Sequence, residues 1–114
     1  MSKPRKTPQP PAYLAEPTRR WWRGLAAEFA FEAQDFRLLE IAALSWDRLQ
    51  QAREVIAREG ITLATTKGVV PHPATKIEND SMIRFMRALR ELALDVEPPG
   101  APRPPQLKGY RNAS

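Results

Sequence analysis

The chain has 114 residues, 18 Lys and Arg against 13 Asp and Glu for a net charge of +5, a single histidine and no cysteine. That length allows one domain, the lack of cysteine excludes disulfides and thiolate metal sites, and one histidine leaves too few nitrogen ligands for an ordinary zinc centre. There is no run of about 18 apolar residues and no signal-like N-terminal stretch, so a soluble protein without membrane contact is expected.

Residues 1–15 and 97–114 are rich in proline and poor in branched apolar residues, which predicts disordered arms on either side of a helical core at 16–96. Charge divides unevenly between these parts. Lys3, Arg5 and Lys6 face no acid in the first arm, Arg103, Lys108 and Arg111 outnumber Glu97 in the second, and the core is balanced. The excess therefore sits where a polyanion can gather it, and nucleic acid is the leading candidate partner. A core of about 80 residues only marginally offsets its chain entropy, so self-association is expected as well.

The core opens with "EPTRRWWRGLAAEFA", a predicted helix with Pro17 in its first turn and Trp22, Leu25 and Phe29 at helical spacing, ending near Ala30. Arg19, Arg20 and Arg23 crowd the start of this helix, where the macrodipole disfavours cations and Arg19 repels Arg23. Something negative must compensate: Glu16, an acid of a neighbouring subunit, or DNA phosphate. Trp21 and Trp22 lie about 100° apart, so one core cannot take both. Trp22 shares the apolar stripe, and Trp21 is expected at a subunit contact or stacked on a base.

A long helix is predicted from Asp35 to Gly60, with Leu39, Ala42, Trp46, Leu49 and Ile56 at steps of three and four and Arg53 interrupting the seam. Leu38, Ile41 and Val55 broaden the stripe, which points to contacts on two sides. Glu54 and Arg58 are spaced as an ion pair. "ITLATTKGVV" then alternates, with Gly68 at a tight turn, and predicts a small β-hairpin over about 61–71. Alone it is marginal in water, so it must lie on the helices or pair with a neighbour's hairpin.

His72 stands between Pro71, which closes the second strand, and Pro73, which suits the first position of a helix. A residue before proline is pushed to extended geometry, also the usual N-cap conformation, so His72 is read as a joint whose imidazole accepts a backbone hydrogen bond. The third helix is predicted from Ala74 to Val96, carrying Met82, Phe85, Leu89, Leu92 and Val96, with Asp80 and Arg84 spaced as another pair. Two long helices with broad apolar faces pack most simply as an antiparallel hairpin.

No catalytic constellation emerges. A histidine-based site lacks a nucleophile and an orienting acid, phosphate-binding glycine loops are absent, and the acids Glu28, Glu32, Asp47, Glu54, Glu78 and Asp80 are spread among arginines as on solvated helix faces. A non-enzyme without metal or cofactor is expected. Candidate DNA contacts are Lys3, Arg5, Lys6, Arg19, Arg20 and Arg23. Core and oligomerisation positions are Trp22, Leu39, Trp46, Leu49, Ile56, Phe85, Leu89 and Leu92.

Taken together, "TRRWW", "AALSWDRLQQAREVIAREG", the Gly-turn hairpin closing in "PHPA" and the ending "RALRELALD" resemble the small terminase subunit of tailed phages over residues 18–95. Members of that family commonly read "ELGL" where this chain has "ELAL", Glu91 to Leu94, inside the third predicted helix. The resemblance implies a mostly helical subunit in a closed ring of about 8 to 10 copies. That ring would bind double-stranded viral DNA in the host cytoplasm during phage assembly and deliver it to a large subunit carrying the ATPase and nuclease. It further implies that Trp46, Asp47, Gly60, Gly68, His72 and Pro73 are framework positions. Leu107 and Tyr110, the only large apolar residues of the second arm, then form a candidate docking motif for the large subunit.

Two other readings remain. A helix-turn-helix regulator needs two helices joined by a turn of a few residues, and a head-assembly protein without DNA contact would leave the basic arms idle.

Overall fold

The computed structural model describes residues 7–100, whose elements run α1 (Glu16–Glu28), α2 (Ala33–Glu59), β1 (Thr62–Thr65), β2 (Gly68–Pro71) and α3 (Pro73–Glu91). Among these residues the protein is mostly helical, with one two-stranded antiparallel sheet. Helix α1 ends at Phe29, whose extended backbone leads into residues 29–32. There Phe29 stacks on Phe31 at 5.7 Å and Phe31 meets Phe36 edge-on at 5.5 Å.

Helix α2 begins two residues before the predicted Asp35. Glu32 is its N-cap: the Glu32 side chain accepts the Asp35 N–H, and the Asp35 carboxylate accepts the Glu32 N–H at 2.9 Å. This is the reciprocal capping box in an acid–acid form, which a search for Ser or Thr caps does not find. At the other end Gly60 caps the helix with φ 84°. The predicted Glu54–Arg58 pair is not made; Arg58 turns to Glu59 at 3.8 Å.

In the hairpin Thr62 pairs with Pro71 and Thr65 with Gly68, so residues 66 and 67 form a two-residue loop. Gly68 has φ 113°, a conformation side chains rarely tolerate, which explains glycine at this position. The Thr65 hydroxyl donates to the Gly68 carbonyl at 2.7 Å and accepts the Lys67 N–H, closing the loop locally. Both strands are exposed except at Leu63, so the hairpin does not lie on the helices.

His72 is the joint that its neighbours predict. Its Nδ1 accepts the Ala74 N–H at 3.0 Å, and its own N–H reaches the Ile61 carbonyl, tying the start of α3 to the start of the hairpin. With Nδ1 accepting, the ring proton sits on Nε2 and is donated to Glu59 at 2.9 Å. The end of α2 and the start of α3 are thereby clamped. Further along, Arg53 meets Glu78 at 3.5 Å, and Ala42 packs with Phe85 and Ala88, so α2 and α3 run antiparallel. The Arg53 break in the seam is an inter-helix bridge.

Helix α3 stops at Glu91, five residues before the predicted Val96. The Leu94 N–H bonds the Leu89 carbonyl and the Ala93 N–H bonds the Arg90 carbonyl, with Ala93 at φ 56°. These are the two hydrogen bonds and the left-handed residue of a Schellman C-cap. The departure from "ELGL" thus falls at the left-handed position, outside the helix, and not within it. Periodicity overran the end because Leu92, Leu94 and Val96 are apolar. They do pack, but on another cluster. The predicted Asp80–Arg84 pair is also replaced, by Lys76 and Asp80 at 2.8 Å.

Two apolar clusters hold the chain together. The first joins Leu14, Trp22, Leu25, Leu39 and Ala43, flanked by Phe36 and the returning Leu92, Leu94 and Val96. The second joins Ala42, Phe85 and Ala88, flanked by Trp46 and Leu89. Leu39 and Leu49 are wholly buried, each contributing roughly 1.5–3 kcal/mol by removal from water. Trp21 touches both clusters, its ring 6.1 Å from Phe85 and its Nε1–H donated to the Glu97 carbonyl at 2.8 Å. Trp22 is buried in the first cluster, and Trp21 lies half-buried between the two.

Residues 7–15, expected in the disordered arm, lie against the helices. Leu14 is buried and the Trp22 Nε1–H donates to the Pro8 carbonyl at 3.2 Å. A proline-rich strand has carbonyls with no partner of their own, and an indole N–H supplies one. Residues 97–100 are likewise placed, with Pro99 buried.

Candidate nucleic-acid interface

The first turns of α1 bring three of the predicted DNA contacts together around one carboxylate. Arg19 grips Glu16 through Nη2 at 2.7 Å and Nε at 3.1 Å, and Arg20 and Arg23 each stand 3.9 Å from the same carboxylate. The hydrogen bond from Arg19 is the main reason that the Glu16 carboxyl is held below the usual carboxylate range, with the three arginine charges adding to it. Of the three compensators considered for this cluster, Glu16 is in place. Three guanidinium groups share this one carboxylate, so the exposed face of the helix start stays net positive.

The three arginines are not equivalent. Arg19 is anchored by Glu16 and donates to the Ala12 carbonyl at 3.3 Å. The Arg20 side chain is 74% exposed, and Arg23 is exposed beside it. These two point their charge at solvent. Lys3, Arg5 and Lys6 lie outside the described residues, as do Leu107 and Tyr110.

A second basic set escaped the sequence reading. Arg84, Arg87 and Arg90 are all exposed on α3, and none has an acid within ion-pair distance among the described residues. A spacing of three turns them progressively around the helix, and a whole-core charge that sums to zero conceals them. The signal was the triplet spacing itself.

Asp47 corrects the reading of the acids as solvated. It is buried, 7% exposed, and reaches from α2 to the N-terminus of α1. Its Oδ2 accepts the Ala15 N–H at 2.7 Å and its Oδ1 accepts the Thr18 hydroxyl. Ala15, the N-cap of α1, has no side chain that can do this. A carboxylate from another helix thus supplies both the cap and the negative charge that the macrodipole favours there. It also sets the pose of the Arg19–Arg23 turn. Nearby, the Tyr13 hydroxyl donates to Glu40 at 2.6 Å; burial and this bond push its pKa up to about 12.

The positions assigned jointly to core and oligomerisation divide. Trp22, Leu39, Leu49 and Phe85 are buried inside one chain, and Trp46, Ile56, Leu89 and Leu92 are half-buried. The large apolar residues left exposed are different ones, chiefly Ile41 on α2, Ile61 and Val69 about the hairpin, and Ile77, Ile83 and Met86 on α3. Ile41 was already singled out as widening the α2 stripe.

Among the described residues, no three or more His, Cys, Asp or Glu side chains are grouped to hold a metal ion, and no helix is long and apolar enough to cross a membrane. His72 has both ring nitrogens engaged. A family model described as phage terminase, small subunit, matches residues 19–97. No curated protein and no solved structure gives a significant match.

Proposed function

The chain belongs to the phage terminase small-subunit family, with a role in phage DNA packaging, and from that premise we propose that it acts as a non-catalytic, ring-forming adaptor. It binds double-stranded viral DNA in the host cytoplasm and brings it to the large subunit that carries the ATPase and nuclease. The observation that carries DNA contact is the Glu16 cluster, where one carboxylate meets three arginines and Arg20 and Arg23 face solvent. Phosphate oxygens complete that imbalance, and Lys3, Arg5 and Lys6 add further contacts.

Ring formation is supported by what a single subunit leaves uncovered. The hairpin has two open edges and an exposed Val69, and Ile77, Ile83 and Met86 are exposed on α3. Such edges and apolar residues call for a neighbour, and identical copies meeting head to tail close into a ring. Repetition of a weak arginine cluster around a ring makes a strong multivalent DNA binder. Leu107 and Tyr110 are the proposed docking residues for the large subunit.

A helix-turn-helix regulator is the alternative reading: the β-hairpin between α2 and α3 does not suit it, and the four residues 29–32 between α1 and α2 are short enough but contain no glycine. Native mass spectrometry of the full chain tests the assembly. A single large closed oligomer is expected; a dimer or a monomer at micromolar concentration overturns the ring.

A further inference from the structure

The ladder of the hairpin fixes which backbone groups it leaves unused. The His72 N–H bonds the Ile61 carbonyl, and beyond that pair Thr62 stands opposite Pro71, Leu63 opposite Val70, Ala64 opposite Val69 and Thr65 opposite Gly68. Bonded and non-bonded pairs alternate along an antiparallel ladder. Since Ile61 and His72 are a bonded pair, so are Leu63 with Val70 and Thr65 with Gly68. Thr62, Ala64, Val69 and Pro71 therefore turn their backbone groups outward, to the two edges.

The edges are not alike. That of β1 offers the N–H and carbonyl of both Thr62 and Ala64, whereas that of β2 offers both groups of Val69 but only a carbonyl at Pro71, which has no N–H. Proline at an outward position removes no bond inside the hairpin. It does leave the β2 edge a single donor, at Val69, so an added strand can pair there over a short stretch only. Both strands are exposed except at Leu63, and Val69 is 72% exposed.

A two-stranded ribbon open on both edges is marginal in water, and another copy of the same hairpin answers both edges at once. Set side by side in the same sense, hairpins place β1 of each copy antiparallel to β2 of the next. With Thr62 opposite the neighbour's Pro71 and Ala64 opposite its Val69, the Thr62, Ala64 and Val69 N–H groups all meet carbonyls. Only the Thr62 carbonyl, facing the proline, lacks a donor, and a carbonyl is the better tolerated of the two unpaired groups. Leu63 then lies between two Val70 side chains, its own and the neighbour's, so one apolar stripe runs from copy to copy. Pairing β1 with β1 about a two-fold axis would instead leave the Val69 N–H unused in every copy.

Resting on the ring reading, we propose that β1 of each subunit pairs with β2 of the next through these outward groups, and that the hairpins form one continuous antiparallel belt. Pro71 limits the belt to a short, matched contact and keeps the β2 edge from accepting an arbitrary strand.

Hydrogen exchange of the full-chain assembly, resolved to single amides by fragment mass spectrometry and read beside its native mass, tests the belt. The Thr62, Ala64 and Val69 amides should exchange roughly a hundredfold more slowly than unprotected amides, with Leu63 and Val70, bonded inside the hairpin, as the internal reference. Ala64→Pro removes an outward N–H and no bond within the hairpin, so helicity should be kept while the concentration at which the assembly dissociates rises by about tenfold or more. An intact ring in which Thr62, Ala64 and Val69 exchange freely would overturn the belt and leave the ring to be held by its helices. Unchanged dissociation of a folded Ala64→Pro variant would also overturn it. Protected Thr62 and Ala64 beside a free Val69 would assign a β1-to-β1 contact in its place, and a monomer by native mass would remove ring and belt together.

Discussion

Ala93 is the one non-glycine residue with positive φ among the described residues, at 56°, and it is the left-handed position of the Schellman cap that ends α3. An L-residue in this conformation costs roughly 1–2 kcal/mol because Cβ crowds its own carbonyl. Glycine removes that cost but gives the unfolded chain more freedom, worth roughly 0.5–1 kcal/mol in the opposite direction. Ala93→Gly should therefore stabilise the protein by about 0.5–1 kcal/mol, a rise of about 2–8 °C in Tm for a domain of this size. Urea melts at matched protein concentration, with an unchanged m-value, measure the gain without confusing it with assembly. Ala93→Val should lose stability, since a branched Cβ fits the left-handed region worse than alanine. An unchanged or lowered midpoint for the glycine variant would show that the chain does not turn at this residue, and that α3 continues as its apolar spacing implies.

Asp47→Ala should destabilise the fold by about 2–3 kcal/mol, because a buried carboxylate with two hydrogen bonds is lost and the Ala15 N–H is stranded; a urea midpoint that does not move would refute the inter-helix cap. His72→Ala should cost about 1 kcal/mol, most of it recovered in His72→Asn, which keeps an N-cap acceptor; equal loss in both would assign the effect to Glu59. Tyr13 has a pKa raised from 10.0 to about 12, so its bond to Glu40 contributes fully below pH 10 and is lost as pH climbs through about 12. Tyr13→Phe should flatten the stability profile over that alkaline window, and unchanged alkaline unfolding would contradict the bond.

The helices and the hairpin were legible because each rests on local chemistry. Pro17, Gly60, Gly68 and the Pro71–His72–Pro73 run fix turns and caps within a few residues of themselves. What stayed hidden depends on groups far apart in sequence. Nothing local shows that Asp47 caps a helix 31 positions before it, or that the Pro8 carbonyl will meet the Trp22 indole. The same holds for Arg53, which breaks its own helix's pattern and makes sense only beside Glu78. The end of α3 was misread for a different reason: Leu92, Leu94 and Val96 keep helical spacing in sequence while serving a second cluster after the chain has turned. At the candidate interface the spacing of Arg19, Arg20 and Arg23 was visible, and so was Glu16 as one of their possible compensators. Their inequality was not, since it depends on the Ala12 carbonyl reached by Arg19.

The central claim is that α1 presents charge to DNA phosphate, and the salt dependence of DNA affinity tests it most directly. Each phosphate contact contributes about 0.9 to the slope of log K against log salt. Replacing Arg20 and Arg23 by alanine, with Arg19 left on Glu16, should weaken binding to every duplex sequence. The slope should fall by about 1.8, two such contacts, while the native mass of the assembly stays unchanged. Wild-type affinity and slope in an intact assembly would contradict the account and move the DNA to another surface, with Arg84, Arg87 and Arg90 on α3 the next to be replaced.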